Sequence, residues 1–241
     1  MSILLSEALG LSPREMVCTV GGGGKTTMVL TLASEALAAH HPVVVTTTTK
    51  MGLNESSGLI SVSGDNPLQE SQAVRWIGKI EGKRVLGRRK EEIDVFFSNF
   101  SGWLLVESDG ARRRPIKAPA DHEPSIPAQA TVVVLNIGLD AIGKPIIDVA
   151  HRPEIMAKIL RENIDAPITP EMVASLVIHD LGGKRQIPDS SRFLLALTKC
   201  TEEREVFANQ VIDILLEKRE SPERAILIGE PGEVIKSEIL M

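Results

Sequence analysis

Residues 19–27 read Thr-Val-Gly-Gly-Gly-Gly-Lys-Thr-Thr, and no other stretch narrows the possible folds of this chain as far. An apolar segment with strand character, Met16 to Val20, leads into the glycines, and good helix formers from Met28 to Ala39 follow them. Strand, glycine loop and helix in succession is the setting in which a phosphate-binding loop is credible. Glycines let consecutive backbone N–H groups turn toward an anion, and the helix start adds the positive end of its dipole. On this reading Gly21, Gly22, Gly23 and Gly24 form the cradle and Thr27 closes it. Lys25 reaches the β- and γ-phosphates, and the Thr26 hydroxyl holds a magnesium ion. A plain glycine linker would leave the Lys-Thr-Thr and the helical pattern behind it unexplained.

The pattern G-x-x-x-x-G-K-[ST] is broken at its first position, where Thr19 stands. The loop resembles more closely the G-K-G-G-x-G-K-T loop of dimerising ATPases, with Val20 in place of their early lysine. Further along, Val43 to Val45 reads as a strand buried on both faces, and Thr46 to Lys50 finish it. Four threonines have high β propensity in their own right. They also end a strand at the sheet edge where α/β proteins bind ligands, which makes Thr48 and Lys50 candidate ligand contacts.

The second informative segment is Trp103 to Gly110, four apolar residues ending in Glu-Ser-Asp-Gly. A buried parallel strand that delivers a carboxylate beside a glycine loop is the arrangement that completes a magnesium site. Strand alternation puts Glu107 and Asp109 on one side, one acid for the ion and the other to position a nucleophile. Arg112, Arg113, Arg114 and Lys117 follow directly, among prolines that disfavour regular helix. Guanidinium groups capture phosphate or carboxylate bidentately, so Arg112 is a candidate for transition-state charge. Arg113, Arg114 and Lys117 are candidates for holding an anionic substrate. His122, between two acids, is a further candidate, for proton transfer or metal binding.

The remaining chain alternates strand and helix. Residues 52–90 read as a rim insertion: strand 59–63, helix 67–80, a turn at Glu81-Gly82 and strand 83–87, with Arg84, Arg88, Arg89 and Lys90 as a solvated basic face. A helix over 91–100 and a strand over 131–135 follow. Residues 139–192 hold helices, clearest from Pro153 to Leu160 and from Pro170 to Ile178, where Thr169 is the N-cap. Strand 193–197 ends in Thr198-Lys-Cys-Thr201, which resembles the [NT]-K-x-D base-selecting element of GTP-binding proteins. Thr198 and Lys199 then pack on a base or ribose. Thr201 replaces the aspartate, with Glu202 one residue on, so ATP and GTP stay equally open. A helix over 202–218 and a last strand over 225–228 complete a doubly wound, mostly parallel α/β fold of the P-loop NTPase kind. We expect one such domain over 1–241.

Composition limits the partners. Tyr is absent and the net charge is −5, which removes both the stacking platforms and the basic excess of a general nucleic-acid binder. The two cysteines lie far apart in apolar segments, as buried thiols in a reducing cytosol do. Residues 1–11 read as an amphipathic helix, and no apolar run is long enough to span a membrane.

Four blocks, Gly21–Thr27, Val43–Met51, Leu105–Pro124 and Leu197–Cys200, together resemble the YqeC-type accessory proteins of selenium-dependent molybdenum hydroxylases. The T-T-T-T-K-M block falls at Thr46–Met51 and the E-x-D-G-A-R-x-x-P-x-K-x-P-x-x-x-E-P block at Glu107–Pro124. The resemblance implies a cytoplasmic P-loop protein that serves the maturation of a molybdenum hydroxylase. Its partners would be a nucleotide with magnesium and either the hydroxylase or its pterin cofactor. Analogy with the related ATPases adds a homodimer. The activity expected is nucleoside triphosphate hydrolysis. The alternatives are a phosphotransferase acting on a small anionic acceptor and a nucleotide-gated carrier that turns over little.

Overall fold

Strand β1, Glu15–Gly21, is buried at every position, so both its faces must be covered. In the computed structural model, which describes residues 3–52, 59–64, 73–82, 84–218, 221–229 and 232–240, it lies at the centre of a nine-stranded sheet. The strands come in chain order as β2 (Val43–Thr47), β3 (Met51–Gly52), β4 (Ile60–Ser63), β5 (Val74–Ile77), β6 (Lys79–Glu81) and β7 (Arg84–Leu86). They continue as β8 (Trp103–Glu107), β9 (Ile116–Lys117), β10 (Val132–Gly138), β11 (Ala150–His151), β12 (Arg192–Thr198), β13 (Arg224–Ile228) and β14 (Val234–Ile239). The large sheet has the order β14-β13-β12-β10-β1-β8-β2-β5-β4, parallel throughout except for the pair β13–β14.

Successive side chains of a strand point to opposite faces, and β1 divides accordingly. Val17 joins Leu105, Val134 and Ala196 under helices α1 (Leu5–Leu9) and α2 (Lys25–Ala38). Met16 and Cys18 join Leu104, Val133 and Leu195 on the opposite face, under α3 (Lys90–Ser98), α6 (Pro170–Ile178) and α7 (Glu202–Leu216). Between these come α4 (Ile146–Val149) and α5 (Pro153–Leu160). Helices on both faces of a mostly parallel sheet make this the doubly wound α/β class expected. From β1 the chain goes to one side through β2 and β8 and then to the other through β10, β12 and β13. The crevice at the carboxyl ends of β1 and β10 is where such sheets take ligands.

Residues 52–89 differ from the expectation. The helix foreseen over 67–80 is replaced across 74–80 by β5 and β6; residues 67–72 of it lie outside the described residues. Val74, Trp76 and Ile77 are β-branched or aromatic and fully covered, with Trp76 against Phe96 at 4.9 Å, so packing favours a strand. β4 and β5 extend the main sheet, whereas β3, β7 and β6 form a small antiparallel sheet at its rim. Arg84, Arg89 and Lys90 are exposed, as expected, with Arg89 paired to Glu92 at 2.9 Å, whereas Arg88 is partly covered, lying over the Trp76 ring and 3.1 Å from the same acid. Strand β14, also unforeseen, is an antiparallel edge. In the 139–192 region, α5 and α6 fall where expected, and the Thr169 hydroxyl accepts from the Met172 N–H at 3.3 Å. Among the described residues no helix is long and apolar enough to cross a membrane.

Candidate functional site

β1 ends in Gly21 and α2 begins at Lys25, so the four glycines turn the chain from sheet to helix in three residues. Gly21 and Gly23 have φ of 90° and 73°. A Cβ on Gly21 would stand 2.4 Å from the Asn136 carbonyl oxygen, and one on Gly23 would stand 2.8 Å from the Gly138 nitrogen. The loop is therefore pressed against the end of β10, and only residues without a side chain fit. The Gly22 N–H donates to the Asn136 carbonyl at 2.9 Å, and the Gly21 N–H donates to Asp109 Oδ2 at 3.0 Å. No side chain caps α2, and its first turn, Lys25 to Thr27, opens onto a cleft together with Gly23 and Gly24. That presents uncapped N–H donors and the positive end of a fourteen-residue helix.

The two acids after β8 divide their work. β8 is inserted between β1 and β2, which sets Glu107 level with Thr19 on one side and Thr47 on the other. Thr26 Oγ1 donates to Glu107 Oε2 at 3.1 Å. A hydroxyl and a carboxylate oxygen are donors that a hard divalent ion such as magnesium takes, and both line the cleft. Among the described residues no group of three or more His, Cys, Asp or Glu could hold a metal. Two protein donors fit an ion whose other ligands are phosphate oxygens and water. Asp109, by contrast, is only 2% exposed and faces two lysines. Lys25 Nζ lies 3.1 Å from its Oδ1 and Lys117 Nζ 3.0 Å from its Oδ2. Lys25 also donates to the Gly21 carbonyl at 2.6 Å, folded back on its own loop.

Lys117 continues the chain of charges. Its Nζ lies 2.7 Å from Glu123 Oε2 and donates to the Gly110 carbonyl at 2.7 Å, and Glu123 in turn pairs with Arg152. Burial pushes the Glu123 carboxyl up, but hydrogen bonds from Arg152 and Lys117 outweigh it and leave the pKa at about 2. His151 moves down to about 4, first through burial and then through the nearby charges of Arg152, Lys117 and Arg112. The backbone reason these residues meet is the short pairing of β9 with β11, which sets Ile116 beside Ala150 and Lys117 beside His151.

Glycine loop and arginine loop together line one open cavity of about 1090 Å³, and they touch where Gly22 packs on the backbone of residues 114–116. Eight Lys and Arg side chains line it against two carboxylates, Glu107 and Glu123, in a chain whose net charge is −5. Among the residues expected at a site, the glycine loop from Gly23 onward, Lys50, Glu107, Arg112, Arg113, Arg114 and Lys199 line it. Arg114 donates to the Asp148 carbonyl, and Lys199 pairs with Asp140 at 2.7 Å. Thr198 sits beneath the loop, its hydroxyl donating to the Gly23 carbonyl at 3.1 Å. Asp109 and Lys117 are interior groups behind the wall. His122 is exposed and Thr48 half-buried, both away from the cleft, with Thr49 on the lining instead. Sequence reasoning missed Arg84, Glu123, His151 and Arg152. Glu123 stood in the Asp-His-Glu triplet, where attention went to the histidine; Arg152 and His151 carry no local signal at all.

A second cavity of about 310 Å³ adjoins the other side of the loop. Leu5, Met28 and Ile228 give it apolar walls, and Thr27, Thr31 and Thr198 supply hydroxyls. No carboxylate among the described residues lines it. Glu202 is the exposed first residue of α7 and lines neither cavity.

The family model described as YqeC protein matches residues 17–154, which holds β1 from Val17 onward, the glycine loop, both acids and the arginine loop. A protein of Escherichia coli (strain K12) that bears the description "Uncharacterized protein YqeC" is 31% identical over 101 residues, 40% of this chain and 40% of its own length. No solved structure matches.

Proposed function

The chain belongs to the YqeC protein family, and we propose that it binds a magnesium nucleotide through the glycine loop as a P-loop nucleoside triphosphatase. The observation that carries this reading is Thr26 hydrogen-bonded to Glu107 at the foot of an uncapped helix, with Lys25 beside them. In the bound state the β- and γ-phosphates lie over the N–H groups of 23–27, and Thr26 and Glu107 hold the ion. Lys25 swings off the Gly21 carbonyl to the phosphates, where it stabilises charge on the transferring group. Lys117 makes that swing affordable, because Asp109 keeps one cation when Lys25 leaves. Arg112 on the arginine loop adds positive charge near the transferring phosphoryl. The base enters the smaller cavity beside Thr198 and Lys199, whose lining offers hydroxyls rather than a carboxylate, so ATP serves as well as GTP.

The role of this turnover, in our reading, is a step in maturing a molybdenum hydroxylase in the cytoplasm, with the hydroxylase or its pterin cofactor as partner and a homodimer as the working form. That part rests on the Thr46–Met51 and Glu107–Pro124 blocks alone.

A thermal-shift panel of ATP, GTP, ADP and GDP, with and without magnesium, tests the nucleotide reading. A ligand at a hundredfold its Kd adds about 2.7 kcal/mol, roughly 5–10 °C in Tm for a chain of this size. Glu107→Gln should abolish the part of the shift that needs magnesium. A flat panel at millimolar nucleotide would overturn the proposal.

A further inference from the structure

Seven described residues other than glycine have a positive φ, and four of them line the large cleft: Arg112 at 49°, Arg113 at 61°, Arg152 at 64° and Lys199 at 55°. All four are cations. The left-handed region strains any residue with a Cβ, and single residues held there cluster at sites that need their side chain in one place. Were only the backbone path required, glycine would serve at each position without strain. At each of these four positions the left-handed backbone carries a cation to the cleft lining.

Three of the four are arginines, two on the loop after β8 and Arg152 at the start of α5. Arg152 is anchored by Glu123, whereas Arg112 and Arg113 are exposed, and no carboxylate among the described residues pairs with either. His151 beside them is held neutral by burial and by that same positive surface, so it offers an N–H donor without adding charge. The open cleft, about 1090 Å³, is at the upper end of the few hundred to ~1,000 Å³ typical of a small-molecule site. Phosphate groups on the glycine loop would use Lys25 and, at the transferring group, Arg112, and leave Arg113 and Arg152 without an anionic ligand.

We infer that the cleft takes two anionic ligands, the second a small molecule carrying a phosphate monoester, held by Arg112, Arg113 and Arg152 beside the glycine loop. The inference rests on the nucleotide reading of that loop and assigns the arginine side a substrate of its own. A phosphate monoester is a compact dianion whose oxygens match two guanidinium forks. Nucleic acid is the weaker fit, because the chain is acidic overall and the cleft lining contains no Phe, Tyr or Trp.

Side-chain NMR separates the two sites. Backbone amides 22–27 report the glycine loop, and arginine Nε–Hε signals report the arginine side. With Mg–ADP or Mg–GDP saturating the loop, inorganic phosphate should move the Arg112, Arg113 and Arg152 signals along a saturable curve. Arg113→Gln should lower phosphate affinity at least tenfold, and malonate, a dicarboxylate, should bind at least tenfold more weakly than phosphate. Arginine signals that stay put, or that move only as phosphate displaces nucleotide from the loop amides, overturn the second site; tighter malonate overturns its phosphate class. If neither nucleotide moves amides 22–27, the nucleotide reading fails on its own, and the same phosphate titration of the free protein decides the arginine site.

Discussion

On the glycine side of the cleft the left-handed residues are Gly21, Gly23 and Gly24, and a side chain there would collide with the backbone of β10 or with Thr198. On the arginine side they are Arg112 and Arg113, which are exposed, and Arg152, half-buried against Glu123, and all three line the cleft. One wall is built from backbone and excludes side chains; the other accepts backbone strain to deliver them. The pairing teaches that the same φ has two meanings, told apart by what surrounds the Cβ. It also predicts opposite responses to substitution, since Ala should be ruinous at the first set and glycine tolerated at the second.

The largest effect belongs to Gly21→Ala. The added methyl would meet the Asn136 carbonyl at 2.4 Å and Leu135 Cδ1 at 2.8 Å, at a φ of 90° that already disfavours it. Overpacking and left-handed strain together should destabilise the protein by roughly 3–5 kcal/mol in urea unfolding. A loss below 1 kcal/mol would mean the loop is not pressed against β10, and the contrast between the walls would dissolve. Lys117→Met comes next, because Lys117 joins the walls through Asp109 and Glu123. Breaking a buried pair by removing one partner costs about 3–5 kcal/mol, and here each acid keeps another cation, which lowers the expected loss to about 2–4 kcal/mol.

Acid should weaken the arginine side in two separate steps. His151 has its pKa depressed in the folded state, so its contribution is full above about 6.5 and is lost as pH falls toward about 4. Glu123 is also depressed, so its share is full above 4.5 and is lost as pH falls toward about 2. Both groups are partly solvated, and after screening each contributes roughly 1–2 kcal/mol. Unfolding free energy followed from pH 7 to pH 3 should decline through both windows in the wild type. His151→Asn should flatten the upper window and Glu123→Gln the lower; a variant curve parallel to the wild type in its window would refute the assignment.

The legibility of the two walls differs in the same way as their construction. Four glycines before Lys-Thr-Thr, and an apolar strand ending in Glu-Ser-Asp, are local patterns, so the loop and the Glu107 strand could be placed from the sequence. Their pairing through β1 and β8 followed from the α/β alternation. The second wall depends on tertiary pairing. Nothing near Arg152 announces that β11 lies beside β9, and a lysine among arginines reads as a substrate contact even when, like Lys117, it is buried against two acids. The short strand β5 and the polar edge strand β14 were missed because runs of four to six residues carry too little periodicity to separate strand from helix or loop.

The smallest effect is the sharpest probe of that second wall, and it compares Arg113→Gly with Arg113→Ala. Both remove the guanidinium, which is exposed and has no carboxylate partner among the described residues, so lost contacts should matter little. They differ at the backbone, where φ is 61°. Alanine keeps a Cβ that strains this conformation, whereas glycine relieves it at some cost in unfolded-state entropy. The glycine variant should therefore be the more stable of the two by about 1 kcal/mol, or about 2–4 °C in Tm for a chain of this length. Equal stability would mean the loop relaxes to negative φ when the side chain is gone. Arg113 would then be held left-handed by its own guanidinium, and the strain on this wall would follow from the charge rather than precede it.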